Sequence, residues 1–157
     1  MWTELYSIKE IYCSQKYIAD EFIEKFVQKT EKLRVGDPLL DETDIEPVVN
    51  AKSLENIEGI VKRSLKEGAE LLTGGERIKI RGYFYRPTIL KNVLPDMEVV
   101  QEEEVFGPVA PIITANDEKE AIRIANDSKF GLGARIWTRF REGRKILSNG
   151  RIRNCYC

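Results

Sequence analysis

The residues with the clearest chemical potential lie in the stretch QEEEVFGPVAPII, residues 101–113. Three consecutive carboxylates, Glu102 to Glu104, run into the apolar pair Val105-Phe106, and Gly107-Pro108 then breaks the chain before a β-type run. Carboxylates beside an aromatic ring, at a turn that opens a strand, favour a ligand site at the rim of a sheet. On composition alone the simpler interpretation is a solvated helix end followed by a tight turn, and Glu102 and Glu103 fit that role.

The chain also contains three cysteines, which are candidate nucleophiles. We predict that Cys13 is a small buried residue, because a reactive thiol needs a partly exposed, electropositive site or a nearby base. Cys155 and Cys157 lie in the tail SNGRIRNCYC, which has no clear period. Arg151 and Arg153 would favour a thiolate there, but a dispensable terminus is the better interpretation. Two cysteines without histidine are too few ligands for structural zinc.

Composition excludes several classes of function. The chain has 157 residues, 42% of them hydrophobic and 32% charged, which predicts one globular domain over residues 1–157. It contains no histidine, so the commonest metal ligand and general base are both absent. A net charge of −1 and short apolar runs predict no binding to nucleic acid or membrane. The odd cysteine count, without a signal peptide, predicts a cytoplasmic protein.

Periodicity predicts the elements in the first half of the chain. The ranges are a strand at 7–13, an amphipathic helix at 17–33, a loop at 39–48, a helix at 52–67 and a strand at 69–73. Gly68 is expected to end the second helix. The apolar stripe of that helix has four members, Leu54, Ile57, Val61 and Leu65.

Two later β-type runs contain proline, which cannot donate to a strand ladder. Residues 83–93 contain Pro87 and are predicted to form a hairpin arm or an edge strand. Residues 109–114 contain Pro111, which indicates an edge strand or a bulge.

The last elements follow from a capping pattern and a glycine turn. Asp117 and Glu120 precede an apolar run as a capping box does, so we expect a helix that ends near residues 126–127. Gly131-Leu132-Gly133 should turn the chain into a strand at 134–138, and 140–147 is a weak helical stretch. Strands alternating with helices predict an α/β fold, a mostly parallel sheet with helices on both faces.

The order Glu104-Val105-Phe106-Gly107-Pro108 resembles a signature of the NAD(P)-dependent aldehyde dehydrogenases: glutamate, an apolar residue, phenylalanine, glycine and proline. In that family the glutamate hydrogen-bonds the nicotinamide ribose, and the phenylalanine lies close to the nicotinamide. The resemblance therefore implies that Glu104 and Phe106 are cofactor-binding residues, with NAD or NADP as the cofactor of the complete enzyme.

Further motifs at family-like spacing extend the resemblance over about residues 7–147. They are VGDPLLDETDIEPVV, EGAELLTGG, GYFYRPTIL and EKEAIRIANDSKFGLGARIWT. Together they resemble the catalytic (substrate) domain of the family, which implies a three-layer sandwich. The dinucleotide-binding and oligomerising parts of the family have no counterpart in these residues.

The departures from the family concern the reacting groups. The resemblance places the family's nucleophilic cysteine at the position of Leu5, and leucine has no thiol with which to attack an aldehyde. The family's general-base glutamate and oxyanion asparagine belong to a part that precedes the matched region. We therefore assign no catalytic residue and predict that these 157 residues alone do not oxidise aldehydes.

Three hypotheses about function remain open. The first is an aldehyde dehydrogenase fragment without catalysis of its own. The second is a non-catalytic interaction domain, and the third is one half of a split enzyme whose dinucleotide-binding half is a separate chain. An uncovered sheet edge and apolar surface predict a homo-oligomer in any of these cases.

Overall fold

The computed structural model describes residues 11–13, 16–101, 105–127, 134–135 and 155–156. Within these ranges the elements follow in the order β1 (Ile11–Cys13), α1 (Lys16–Thr30), α2 (Ala51–Glu67), β2 (Glu70–Thr73), β3 (Thr88–Lys91), α3 (Glu98–Gln101), β4 (Val109–Thr114), α4 (Glu118–Asn126), β5 (Ala134–Arg135) and β6 (Cys155–Tyr156). Several predictions lie outside the described residues: the strand at 7–10, the turn at 131–133, the strand at 136–138 and the helix at 140–147.

Four of the strands form one small mixed sheet in the order β1-β4-β3-β2. β4 pairs in parallel with β1 and β3, whereas β2 pairs antiparallel with β3. β5 and β6 form a separate parallel pair, in which Ala134 pairs with Cys155. Cys155 thus lies in a short strand, although the sequence of the tail shows no clear period and its side chain is not among those described. The α/β class is confirmed.

For residues 83–93 the antiparallel pairing of β3 with β2 agrees with a hairpin arm, whereas the edge positions expected for the two proline-containing runs are wrong. β3 lies between β4 and β2, and β4 lies between β1 and β3. Pro87 immediately precedes β3, so its missing N–H falls before the ladder. Pro111 pairs with Leu90 in the parallel β3–β4 register and directly precedes Ile112, the first residue of β4 that pairs with a described residue of β1. Pro87 is therefore tolerated because of its position before the ladder.

The predicted helix at 17–33 is confirmed as α1, but it ends three residues early. After Thr30 the amides of Lys32 and Leu33 bond the carbonyls three residues back, at 3.2 and 3.1 Å. This 3₁₀-type tightening ends the α-helix before the apolar pattern ends.

Capping residues define both ends of α2, and the end at Gly68 is the one that the sequence predicts. The side chain of Asn50 accepts a hydrogen bond from the Ser53 amide at 2.8 Å, and Gly68 ends the helix with a positive φ of 110°. Leu54, Ile57 and Val61 are buried as expected. Leu65 is 37% exposed, and that part of the prediction is wrong. The buried face instead has two other members, Ile60 and Ser64.

A side-chain cap begins α4 as predicted. Asp117 accepts a hydrogen bond from the Glu120 amide at 2.8 Å. The Glu120 carboxylate turns back to accept from the amide and the side chain of Asn116, at 2.8 and 2.7 Å. Side chains therefore accept hydrogen bonds from backbone N–H groups at the start of the helix. The arrangement is that of a capping box in which Glu120 bonds the residue before the N-cap instead of the N-cap itself. None of the described helices is long and apolar enough to cross a membrane.

The core has two clusters, separated by the sheet. Ile89 and Leu90 are consecutive in β3 and so point to opposite faces. Ile89 belongs to the cluster with Ala19 and Ile23 of α1, whereas Leu90 belongs to the larger cluster with residues of α2, α3 and α4. The described helices thus supply apolar side chains to both clusters, while the complete three-layer sandwich remains a prediction.

One core side chain carries a polar group without a partner. Tyr85 is 1% exposed, and its hydroxyl has no hydrogen-bond partner among the described residues. Burial raises the pKa of Tyr85 from 10.0 to about 12. The negative charge of Glu58 on α2 adds to this rise in pKa, and the positive charge of Arg77 opposes it. The folded protein therefore favours the neutral phenol.

We expect this shift to appear in alkaline unfolding. A tyrosine whose pKa is raised on folding contributes stability that is complete below pH 10.0 and is lost as pH rises through about 12. The free energy of unfolding, measured by urea titration, should therefore fall less steeply over this pH range in Tyr85→Phe than in the parent chain.

At pH 7 the Tyr85→Phe variant should be as stable as the parent or more so, because it removes a buried hydroxyl that has no partner in the part of the chain that the structure describes. Tyr83→Phe is the matched control, since Tyr83 is 44% exposed. Equal alkaline slopes for Tyr85→Phe and the parent, or a loss above about 1 kcal/mol at pH 7, would contradict this account.

Candidate functional site

The candidate site is the segment that opens β4, residues 105–108, called here the Phe106 turn. Val105 is 8% exposed and belongs to the larger core cluster. The next residue, Phe106, is 65% exposed. An anchored residue is thus followed at once by an aromatic side chain in solvent. Glu102 to Glu104 precede the turn but lie outside the described residues, so the predicted contact of Glu104 with a cofactor stays a prediction.

Gly107 brings the backbone of the turn against α2. A Cβ added at Gly107 would lie 2.3 Å from Cδ1 of Ile57, which is closer than real Cβ contacts allow. Ile57 is itself 1% exposed and belongs to the same cluster as Val105. Glycine therefore allows the backbone of the turn to approach Ile57 closely, and any larger residue would have to displace the end of that side chain.

Pro108 connects the turn to β3. Its carbonyl accepts a hydrogen bond from the Thr88 amide at 2.8 Å, and the Val109 amide donates to the Gly107 carbonyl at 2.9 Å. Thr88 and Val109 are also the first pair in the parallel β3–β4 register. The Phe106 turn is consequently held by the core, by α2 and by the sheet.

Thr88 was not assigned a role from the sequence, although it lies in the motif GYFYRPTIL. It is 2% exposed, and its hydroxyl accepts from the Gly75 amide at 2.8 Å and donates to the Arg86 carbonyl at 2.7 Å. A Cβ added at Gly74 would lie 2.3 Å from the Pro87 carbonyl oxygen. The glycine pair of one motif thus packs against the proline and threonine of the next, a contact that only the fold reveals.

The site lies at the amino-terminal edge of the parallel strands. β3 and β4 begin together at Thr88 and Val109, and β1 runs in the same direction from Ile11, opposite Ile112. Ligands in open α/β sheets usually bind at the carboxyl ends of the strands. The Phe106 turn is therefore at the sheet rim, as the sequence predicts, but at the other end from the usual ligand crevice.

The described part of the candidate site offers contacts for binding and no reacting groups. Leu5 lies outside the described residues, as does Glu104. Two arginines of the segment between β2 and β3 form ion pairs, Arg77 with Glu58 at 2.8 Å and Arg86 with Glu76 at 2.9 Å. In the ranges that the structure describes, no group of three or more Cys, Asp or Glu side chains could hold a metal ion.

Comparison with known proteins identifies related sequences. The model of the aldehyde dehydrogenase family matches residues 6–154, which extends beyond the motifs at 7–147 into the tail. The 4-trimethylaminobutyraldehyde dehydrogenase of Mus musculus is 41% identical over 150 residues, which cover 90% of this chain and 30% of the mouse protein.

Solved structures share the fold. Lactaldehyde dehydrogenase from Escherichia coli superposes with a TM-score of 0.89 at 33% identity, over 94% of this chain and 31% of that one. Betaine aldehyde dehydrogenase from Staphylococcus aureus, in complex with NAD+, gives a TM-score of 0.87 at 28% identity, over 94% of this chain and 30% of that one. The chain thus spans about 30% of the length of these relatives.

The contact between the glycine pair and β3 generates a stability prediction. Gly74 has a φ of 77°, and its Cβ position is occupied by backbone. Gly74→Ala should cost about 1–3 kcal/mol for the left-handed conformation. Overpacking against Pro87 should add about 1–3 kcal/mol. Urea unfolding measures the total.

Gly68→Ala is the matched control for Gly74→Ala. Gly68 also has a positive φ, of 110°, but nothing lies within 4 Å of its Cβ position. Its substitution should therefore show only the conformational cost. If both alanine variants lost the same free energy of unfolding, the packing of Gly74 against β3 would not be a constraint.

Proposed function

Because the chain belongs to the aldehyde dehydrogenase family, we propose that it is the substrate-domain segment of an enzyme that oxidises an aldehyde to an acid with NAD or NADP. The whole domain would be the family's three-layer sandwich. The observation that supports this role is the Phe106 turn, in which a 65% exposed aromatic side chain follows directly after a residue fixed in the core. An exposed phenylalanine held in this way is suited to a ligand contact rather than to packing.

The residues present fit a nicotinamide nucleotide. The flat ring of Phe106 offers an apolar surface to a planar heterocycle, and rings of this kind stack or meet edge to face. Glu104, two residues earlier, would accept a charge-assisted hydrogen bond from a ribose hydroxyl. When bound, the nucleotide supplies the hydride acceptor. The role of these two residues is to orient it.

Within the 157 residues, the reacting group of the family is absent from its expected position. Leu5 stands where the resemblance places the nucleophilic cysteine, and the chain has no histidine to serve as a base. We therefore propose that this polypeptide by itself binds or assembles but does not catalyse. It would act in the cytoplasm.

The direct test of catalysis is cofactor reduction. The purified 157-residue chain should form no NADH or NADPH with short, long or aromatic aldehydes, because loss of the nucleophile from such a site costs ~10³-fold or more in rate. Leu5→Cys is the informative companion variant, since it restores a thiol at this position. Turnover by the parent chain that survives repurification and falls in Glu104→Gln would overturn the proposal of inactivity.

Cofactor binding by these residues alone should be weak. A charge-assisted hydrogen bond from a ribose hydroxyl to Glu104 is worth roughly 1.5–3 kcal/mol. Association costs about 4–15 kcal/mol in lost translational and rotational freedom. Calorimetry should thus detect no micromolar binding of NAD+ or NADP+. Micromolar binding that disappears in Phe106→Ala would contradict this energy balance while supporting the site.

The surface of the described residues favours association with another chain. β1 and β2 are the outer strands of the four-stranded sheet, and each pairs on one side only within the described residues. Large apolar side chains are also exposed, and the most exposed are Leu39, Val49, Phe106, Leu94, Leu40 and Ile80. We propose a homo-oligomer, most simply a two-fold dimer. A separate dinucleotide-binding chain is the alternative partner.

Light scattering on a sized column tests the oligomer. We expect a mass above that of the 18.1 kDa monomer, because strand edges and apolar surface gain free energy when they are covered. Deletion of residues 149–157 shows whether the tail covers an edge. A monodisperse monomer at high concentration, unchanged by the deletion, would refute association through exposed surface.

A further inference from the structure

We infer that Thr88 is a positioning residue for Phe106, because it joins three backbone segments at the start of β3 and one of them is the Phe106 turn. The inference rests on the proposed function in one respect, that Phe106 contacts a cofactor. No contact between Thr88 and a ligand is involved.

The Thr88 hydroxyl both accepts and donates a hydrogen bond. It accepts from the Gly75 amide at 2.8 Å and donates to the Arg86 carbonyl at 2.7 Å. A hydroxyl carries one donor and two acceptor sites, so only serine could replace threonine and keep both bonds. Valine has the same shape but would leave one backbone donor and one backbone acceptor without their partner.

The Thr88 amide carries the connection to the candidate site. It donates to the Pro108 carbonyl at 2.8 Å, and Thr88 pairs with Val109 in the parallel register. Because the hydroxyl and the amide belong to one residue, any shift of Thr88 also moves its partner, the Pro108 carbonyl. Phe106 is only two residues from Pro108, and the Val109 amide closes the turn on Gly107 at 2.9 Å.

The opposite side of the turn is already fixed. Val105 is in the core, and Gly107 lies against Ile57, where a Cβ would come within 2.3 Å of the side chain. Any change in the position of the turn would therefore occur at Pro108, the end next to β3, where the Thr88 amide holds the carbonyl. The orientation of Phe106 then depends on whether Thr88 keeps both bonds of its hydroxyl.

A suitable control removes a buried hydroxyl elsewhere. Ser64 is 0% exposed, and its hydroxyl donates to the Ile60 carbonyl of the same helix at 3.0 Å. Ser64→Ala should lower stability without touching the Phe106 turn. Comparison of Thr88→Val with Ser64→Ala separates positioning from general loss of stability.

The experiment reads the position of Phe106 directly. The six phenylalanines are replaced biosynthetically by 4-fluorophenylalanine, and the Phe106 fluorine signal is assigned by its loss in Phe106→Leu. Amide hydrogen exchange is followed at Gly75, at Val109 and, as a reference within α2, at Val61. No cofactor is added, so a failure of NAD+ or NADP+ binding would bear on the proposed function and not on this inference.

In Thr88→Val we expect the Phe106 signal to shift or broaden, and exchange at Gly75 and Val109 to rise ~10-fold or more relative to Val61. Thr88→Ser should keep the parental signal and rates within about 2-fold, because it keeps both hydrogen bonds. Ser64→Ala should leave the Phe106 signal in place.

Three results would overturn the inference. They are an unchanged Phe106 signal in Thr88→Val, an equal change in Ser64→Ala, or a displaced signal in Thr88→Ser. The serine variant keeps the inference testable even if Thr88→Val does not fold, since a displaced signal would contradict it although both hydroxyl bonds are retained.

Discussion

The parallel pairing of β3 with β4 is the contact on which the rest of the described structure depends. It begins at Thr88 and Val109, which are 21 positions apart in sequence, and it brings the two motifs that contain them to the same edge of the sheet. One motif supplies the buried hydroxyl of Thr88, and the other supplies the carbonyl of Pro108 and the exposed ring of Phe106. Parallel strands cannot be joined by a short hairpin, so the intervening chain has to cross over through α3 and return.

The same two strands separate the core into its two clusters. Successive strand residues point to opposite faces, so Ile89 meets α1 while Leu90 meets the cluster that contains α2. Val105 and Ile57 also belong to that second cluster, which ties the candidate site to the larger core. The exposed position of Phe106 is therefore a consequence of how well its neighbours are buried. A loosely held turn would let so apolar a ring fold back against the protein.

Local signals in the sequence predicted the elements better than their arrangement. The cap at Asp117, the end of α2 at Gly68 and the bounds of β4 follow from short-range chemistry and are confirmed. Edge positions were wrong for both proline-containing strands, because proline limits only the ladder at its own position, and strand order depends on distant partners. Leu65 was misplaced because the buried stripe of a helix can continue from Val61 either three residues later, at Ser64, or four residues later, at Leu65. Packing, which the sequence does not show, decides that Ser64 is the buried one. At the candidate site, the sequence indicated Phe106 but not Thr88, whose role depends on a turn thirteen residues away.

Family membership and catalysis depend on different residues in this chain. Gly74 and Gly107 are fixed by close approaches of backbone or side chain, and Thr88 by hydrogen bonds to the backbone. Those constraints do not depend on a bound cofactor, so they would preserve the fold even in a chain that does not catalyse. The proposed lack of catalysis, in contrast, rests on a single position, Leu5, where the resemblance places the family's thiol. A fold supports many functions, and function has to be argued from the reacting groups. The strong structural similarity to aldehyde dehydrogenases is therefore evidence for how this chain folds, and it does not by itself establish an activity.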